Sequence, residues 1–252
     1  MRSLPAAQTP VVVSCGSTAT GAAIVRSLAR AGHPVSFGRR PGTDDGADLE
    51  RELADAGFNG AAFDLDPSDS ESLNRFAGLS STRFGPALCL VVDSSAGPSA
   101  GPGPQEGDSP DWVRVMDANL SAAFRLVQQF VPEMRSREYG RVVLVGSAAA
   151  VVGRPEQEAF CAASAALEGL TRSLAVKYGP CDVLVNAVAP GYIEEDGDGL
   201  TPVVRDKQVL SSTALRRTGK ATELADAVRF LCGPDSSAMT GCVLRVDGGL
   251  SA

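Results

Sequence analysis

The feature that most constrains the fold is the alternation, along the whole chain, of short apolar runs with segments of helical periodicity. Val11–Val13, Val35–Phe37 and Leu88–Val92 are typical of buried strands, and a helical pattern follows each of them. Parallel strands need long crossover connections, which helices supply on both faces of a sheet. We therefore predict an α/β fold with a doubly wound parallel sheet of about seven strands and helices on both faces. The predicted helices span about 21–31, 48–56, 68–76, 111–137 and 156–178.

The chain length and composition predict a single domain over residues 1–252, because 252 residues that are 44% hydrophobic can bury one core. A dispersed net charge of −7 argues against a nucleic-acid partner. No apolar run is long enough to span a membrane, and Met1–Pro10 lacks the pattern of a secretory signal, so we expect a cytoplasmic protein. Six separated cysteines and one histidine predict no metal site.

The most informative motif follows the run Val142–Val145. That run ends at Gly146-Ser147, and thirteen residues later Phe160 and Ser164 lie one helical turn apart. This stretch resembles the short-chain dehydrogenase/reductase family, most closely its 3-oxoacyl-[carrier protein] reductase branch. The resemblance implies a Rossmann-type sheet. In that family the Ser orients a carbonyl, a Tyr is the general acid, and a Lys four residues later holds the nicotinamide ribose. Here Phe160 and Ser164 stand at the Tyr and Lys positions.

The first strand-to-helix turn is where the family binds the dinucleotide pyrophosphate with a Thr-Gly-x-x-x-Gly-x-Gly loop. In one register Gly21 matches the third glycine, while Cys15 and Ala19 replace the other two. Shifting the register by one residue keeps Gly16 instead and loses the later two. In both registers an added Cβ occupies space that the cofactor or the turn would use.

Other cofactor positions are better matched. Arg39 and Arg40 follow the second predicted strand, where members that select NADP place cations against the 2′-phosphate. Asp64 matches the aspartate that contacts adenine, and Ala96-Gly97 matches the end of the Asn-Asn-Ala-Gly wall. With the altered glycine loop, the resemblance predicts that NADP(H) binds weakly or not at all.

Several further positions follow from the resemblance, which covers about residues 10–250. Asn119 matches the asparagine that bends a helix and holds a relay water beside the Lys. Glu195 stands where the family has a Thr that binds the carboxamide. The segment of about 192–218 is the expected substrate lid. The helices around 111–137 and 156–178 form subunit contacts in the family, which predicts a homo- or hetero-oligomer.

Three hypotheses about function follow. In the first, Ser147 and Asn119 are remnants, and the chain is a pseudoenzyme subunit that pairs with an active reductase in fatty-acid or polyketide-type biosynthesis, with an acyl carrier protein as a candidate partner. The second is a non-redox enzyme for dehydration or cyclisation whose acid/base groups come from Tyr192, Glu194, Glu195 and Ser147. In the third, an NADPH-dependent reductase uses Tyr192 as its acid.

Overall fold

The structure, a computed structural model, describes residues 8–94, 110–155, 157–194 and 211–252, with only the backbone of Pro110 and Asp111. Three predicted site residues, Ala96, Gly97 and Glu195, lie outside the described residues. Most of the expected lid, residues 195–210, lies outside them as well.

Seven strands form one parallel sheet, which confirms the predicted doubly wound fold. Their order is β3-β2-β1-β4-β5-β6-β9, so the direction of winding reverses between β1 and β4. That reversal opens a crevice at the carboxyl ends of the strands, where doubly wound sheets bind ligands. A separate short pair joins β7 to β8. The strands are β1 (Val11–Val13), β2 (Val35–Arg39), β3 (Gly60–Asp64), β4 (Cys89–Asp93), β5 (Gly140–Val145), β6 (Val183–Pro190), β7 (Ile193–Glu194), β8 (Gly219–Lys220) and β9 (Val243–Val246).

Helices cover both faces of the sheet. Successive strand residues point to opposite faces: Val11 and Val13 pack in the apolar cluster that contains Ile24, and Val12 packs in the one that contains Phe76. The first cluster is formed with α1, α2 and α8, and the second with α3, α5 and α7. The helices are α1 (Ala19–Arg30), α2 (Ala47–Asp55), α3 (Ser70–Phe84), α4 (Pro110–Met116), α5 (Ala122–Ser136), α6 (Ala149–Val152), α7 (Glu158–Tyr178) and α8 (Ala221–Cys232).

The predicted helix over 111–137 is interrupted by a π-helical turn at Asp117–Ser121. At this turn Asn119 Nδ2 donates to the carbonyl of Val115 at 2.9 Å. A π turn inserts one residue, which shifts the helical phase by about 100°. The sequence places Trp112 and Ala123 at a spacing that predicts one buried face on a continuous helix. That prediction is wrong, because Trp112 is 47% exposed whereas Ala123 is buried.

Helix α3 extends eight residues beyond its predicted end at Phe76. Asp69 caps its first turn by accepting from the backbone N–H groups of Glu71 and Ser72. Near its end, the buried Ser80 donates to Ser36 Oγ of β2 at 2.8 Å. Tertiary contact thus holds a Gly- and Ser-rich segment helical against its weak intrinsic propensity.

Within the described ranges, no helix combines the length and apolarity needed to cross a bilayer. The same ranges contain no group of three or more His, Cys, Asp or Glu side chains placed to hold a metal ion. All six cysteines are free; Cys89 and Cys232 are buried, and Cys242 is exposed.

Candidate functional site

The candidate site lies at the carboxyl edge of the sheet, where β1, β4, β5 and β6 end. Ser14 follows β1, Asp93 ends β4, Ser147 follows β5, and Gly191 follows β6. Helix α1 starts at this edge and directs its N-terminus, the positive end of its dipole, toward the crevice. The topology therefore brings together, at one edge of the sheet, segments that are far apart in the sequence.

The turn between β1 and α1 keeps its shape through two glycines. Thr18 caps α1, since its hydroxyl accepts from the N–H of Gly21 at 3.0 Å. A Cβ on Gly21 would overlap the backbone carbonyl of Cys15, and a Cβ on Gly16 would overlap the ring of Phe37. Both glycines are therefore required by the packing of the turn itself, whether or not a cofactor binds. Cys15 has no positive φ, so it is accommodated without left-handed backbone strain.

Asp93 is a residue of this site that sequence reasoning missed. It is only 7% exposed, and its Oδ2 accepts from Thr20 Oγ1 at 2.9 Å, on the second residue of α1. Its backbone N–H donates to Ser14 Oγ at 2.9 Å. Burial, with a further contribution from the negative charge of Asp93, raises the pKa of the nearby Cys15 thiol. A carboxylate of β4 thus contacts the first turn of the helix that would receive a pyrophosphate.

The sequence held a signal for this residue. Asp93 ends an otherwise apolar run, and a charged residue at the last position of a fully buried strand needs a partner. The partner, Thr20, lies 73 residues away in the chain. Only the pairing of β1 with β4 brings the two together.

Arg39 and Asp64, both expected to contact cofactor, bind each other. Arg39 Nε donates to Asp64 Oδ1 at 2.8 Å, and this hydrogen bond is the main cause that lowers the pKa of Asp64. Arg40 is the more exposed cation, since its side chain is 78% exposed and approaches Asp45 no closer than 3.9 Å. At this end of the site, Arg40 therefore has the guanidinium that is better placed to meet a phosphate from solvent.

The structure brings Ser147, Phe160 and Asn119 into one neighbourhood. Phe160 is 4% exposed and packs in a small apolar cluster with Val115 and Ala149. Ala149 donates its N–H to Ser147 Oγ at 3.2 Å, and Val115 accepts from Asn119. The side chains of Ser147, Phe160 and Asn119 carry no proton that titrates near neutral pH.

Ser164 also lies near Ser147. Both are buried, and both line a narrow cavity between α7, β5 and β6 that has no room for a water molecule. Glu168, one turn further along α7, lines the same cavity. Its Oε1 is buried without a hydrogen-bond partner among the described residues, and its Oε2 is 3.7 Å from Arg172. The position of Ser164 is thus closely packed.

At the mouth of the site, Arg154 stacks on Tyr192. The Arg154 guanidinium carbon lies 4.3 Å from the centre of the Tyr192 ring. Arg154 follows α6 and Tyr192 follows β6, and the two segments are joined where Ala148 N–H donates to the carbonyl of Pro190 at 2.8 Å. Glu194, a predicted acid/base group, is exposed on β7, where it pairs with Lys220 of β8.

A larger cavity of about 900 Å³ lies between α1 and α8. Arg26 of α1 and Arg229 of α8 line it, together with the acidic residues Glu52, Glu194 and Asp226. The residues of the Ser147 neighbourhood do not line this cavity, so its volume gives no measure of the space beside Ser147.

Comparison with known proteins agrees with the fold. A family model described as enoyl-(acyl carrier protein) reductase matches residues 17–251. The chain belongs to the short-chain dehydrogenase/reductase family, and within it is ketoreductase-like. It is 31% identical over 239 residues to the 3-oxoacyl-[acyl-carrier-protein] reductase FabG of Pseudomonas aeruginosa, covering 95% of this chain and 96% of that protein.

Two solved structures extend the likeness to three dimensions. A short-chain dehydrogenase/reductase from Serratia marcescens superposes with a TM-score of 0.89 at 29% identity, over 99% of this chain and 100% of the other. A blue fluorescent protein from a metagenomic library, in complex with NADPH, superposes with a TM-score of 0.87 at 31% identity and the same coverage. The predicted family is therefore confirmed.

Proposed function

We propose that this chain is a non-catalytic subunit that partners an active reductase of its own family in fatty-acid or polyketide-type biosynthesis. The observation that carries the proposal is the identity and burial of Phe160 and Ser164 beside Ser147. The likeness to a 3-oxoacyl-[acyl-carrier-protein] reductase supplies the class of pathway.

The chemistry of ketone reduction supports this role. The reaction needs a hydride on the carbonyl carbon and a proton on its oxygen, and a positioned general acid contributes about 10²–10⁴-fold to such a step. Phe160 has no proton to give, and the Ser164 hydroxyl cannot supply the positive charge of a lysine. Ser147 and Asn119 can still form hydrogen bonds, but neither is an acid at neutral pH.

The test of this proposal is direct. The purified chain is mixed with NADPH and a generic β-ketoacyl thioester, and NADPH oxidation is followed by absorbance. We expect a rate equal to that of buffer alone. A clear turnover by the wild-type chain would overturn the proposal, and a family member with an intact Tyr and Lys serves as the positive control.

We also propose that NADP(H) binds weakly or not at all. Asp93 supports this, because its carboxylate accepts from Thr20 in the first turn of α1, where the dinucleotide diphosphate would need donors. Two like charges about 5 Å apart repel by about 3 kcal/mol at an effective dielectric constant of about 20. To bind the 2′-phosphate, Arg39 would also have to release Asp64 from its ion pair. Otherwise Arg40 alone would bind that phosphate.

Asp93→Asn is therefore expected to tighten NADPH binding at least about tenfold, because an amide keeps an acceptor for Thr20 and removes the charge. Calorimetric titration of NADPH measures the change. Asp235→Asn, in the exposed turn that follows α8, makes the same change in net charge and is the matched control. Equal affinities of the Asp93 variant and the wild type would show that the carboxylate does not oppose the cofactor.

Exposed apolar side chains support association through α4, α5 and α7. Four of them are at least 43% exposed: Trp112, Val113, Phe124 and Val176. Apolar groups exposed on long helices are typical of subunit interfaces. The proposed occupant is a second subunit of the same fold, either another copy or an active relative.

Val113→Glu is expected to convert the oligomer to a monomer, since a carboxylate would be buried unpaired in the contact. Val113 is 67% exposed, so the substitution leaves the fold of the subunit intact. Multi-angle light scattering gives the mass. Phe230→Glu, on α8 and 39% exposed, is the control and should keep the wild-type mass. A monomeric wild type that recovers no relative from its native host would contradict the proposal.

A second candidate is a non-redox enzyme, for dehydration or cyclisation, in the same cleft. The observation that favours it is Glu168, whose buried Oε1 lines the cavity shared with Ser147. A carboxylate beside a serine hydroxyl is a side-chain type that serves as a general base. Conversion of a 3-hydroxyacyl thioester to its enoyl product, lost on Glu168→Gln, would establish this activity in place of the first.

A further inference from the structure

We propose that Arg154 forms an anion subsite at the mouth of the cleft, which binds the carboxylate or phosphate group of a small ligand. The inference goes beyond the proposed function, since binding of an anion requires neither NADPH nor turnover. Three observations support it: the guanidinium has buried donors without a partner, it is stacked on Tyr192, and it lies at the carboxyl edge of the sheet.

The guanidinium has an unused pair of donors. Nε and Nη2 of Arg154 are both buried, and neither forms a hydrogen bond with any residue that the structure describes. These two N–H groups lie along the same edge of the planar guanidinium and form one fork, which matches two oxygens of a carboxylate or a phosphate. A single anion can therefore satisfy both donors at once.

The fork is held in position rather than free to reach water. Arg154 lies over the ring of Tyr192 at 4.3 Å, within the range of a cation–π contact. Two charged N–H donors that are buried without acceptors cost free energy, because they have lost water and gained no partner. A ligand with two anionic oxygens removes that cost, and the stack on Tyr192 reduces the entropy lost on binding.

The position of the pair relates the subsite to the cleft. The short helix α6 begins two residues after Ser147, and Arg154 follows that helix within two residues of its end. Tyr192 follows the end of β6, next to the start of α6. A ligand bound to Arg154 would therefore extend toward Ser147 along the carboxyl edge of the sheet. A neutral apolar ligand would leave the fork unsatisfied, so the subsite selects for anions.

The test uses three probes of one shape: benzoate, phenyl phosphate and the neutral benzamide. Dissociation constants are measured by calorimetry for the wild type, Arg154→Met, Arg154→Lys and Arg83→Met. Arg83 is the matched control, because it also lies over an aromatic ring, that of Phe84, but is exposed. We expect Arg154→Met to weaken binding of the preferred anion at least about tenfold, and Arg83→Met to leave it unchanged.

Arg154→Lys should also weaken binding, since an ammonium group keeps the charge but lacks the fork. Thermal unfolding checks the fold: Arg154→Met should keep or raise the Tm, because it removes a buried charge without a partner. If that variant fails to fold, two measurements replace it. They are the affinity of the lysine variant for the anion and the rise in the Tm of the wild type when the anion is added.

Tighter binding of benzoate than of phenyl phosphate would assign a carboxylate ligand, and the reverse order a phosphate; both orders support the subsite. Three results would overturn it. The first is that neither anion binds the wild type in the millimolar range. The second is that Arg154→Met binds them as tightly as the wild type, and the third is that benzamide binds as tightly as benzoate.

Discussion

Gly21→Ala is expected to lower the free energy of unfolding by more than about 3 kcal/mol. Gly21 lies in the first turn of α1, where an added Cβ would overlap the backbone carbonyl of Cys15. A backbone carbonyl at the end of β1 cannot move aside without disturbing the strand or the N-terminus of the helix. Urea unfolding followed by circular dichroism measures the loss.

The chain offers a matched control in Gly78, which lies inside α3 with open space around its position. Gly78→Ala makes the same chemical change in a helix, and it should raise the stability by about 0.5–1 kcal/mol because alanine loses less backbone entropy. If both variants are stabilised, the close approach of Cys15 to Gly21 is not the reason for that glycine. The expected opposite signs separate a steric need from helix propensity.

The fold could be predicted from the sequence because its main signals are local. Apolar runs of strand length and helical periodicity persist from Val11 to Val246, and parallel connection rules then restrict the topology to few solutions. The π turn at Asp117–Ser121 was not predictable from periodicity. It changes the phase of the helix by one residue, so Trp112 points away from the face on which Ala123 is buried.

The site was less accessible to sequence reasoning, because its contacts join residues far apart in the chain. Asp93 meets Thr20 across 73 residues, and Arg39 meets Asp64 across 25. Motif matching assigned Arg39 and Asp64 separately to two parts of a cofactor, and only the structure shows that they bind each other. Arg154 belongs to no motif, and its significance comes from burial without a partner.

Phe160→Tyr with Ser164→Lys is expected to leave NADPH oxidation at the background rate, even though the pair restores an acid and a cation. Position 164 adjoins a cavity without room for a water molecule, so a lysine there must extend toward the cleft or bury its charge unpaired. Asp93 would still oppose the diphosphate of the cofactor.

A wider set of changes should give activity that the pair alone does not. Removing the Cβ atoms of the glycine loop and the charge of Asp93 admits the cofactor, and the family threonine at position 195 supplies a donor for the carboxamide. With the cofactor bound, the restored acid should raise the rate by about 10²–10⁴-fold over the same variant that keeps Phe160. The full set is Cys15→Gly, Ala19→Gly, Asp93→Asn, Phe160→Tyr, Ser164→Lys and Glu195→Thr.

The comparison among these variants shows which step is defective in the wild type, because cofactor binding and catalytic turnover are measured separately. Activity in the Phe160 and Ser164 pair alone would show that the cofactor site was never lost, and that the acid and the lysine were the whole defect. Tight NADPH binding without turnover in the full set would place the remaining defect in the alignment of the substrate carbonyl with Ser147. Turnover that requires Asp93→Asn would show that the carboxylate at the start of α1 closed the cofactor site, since that change adds no catalytic group.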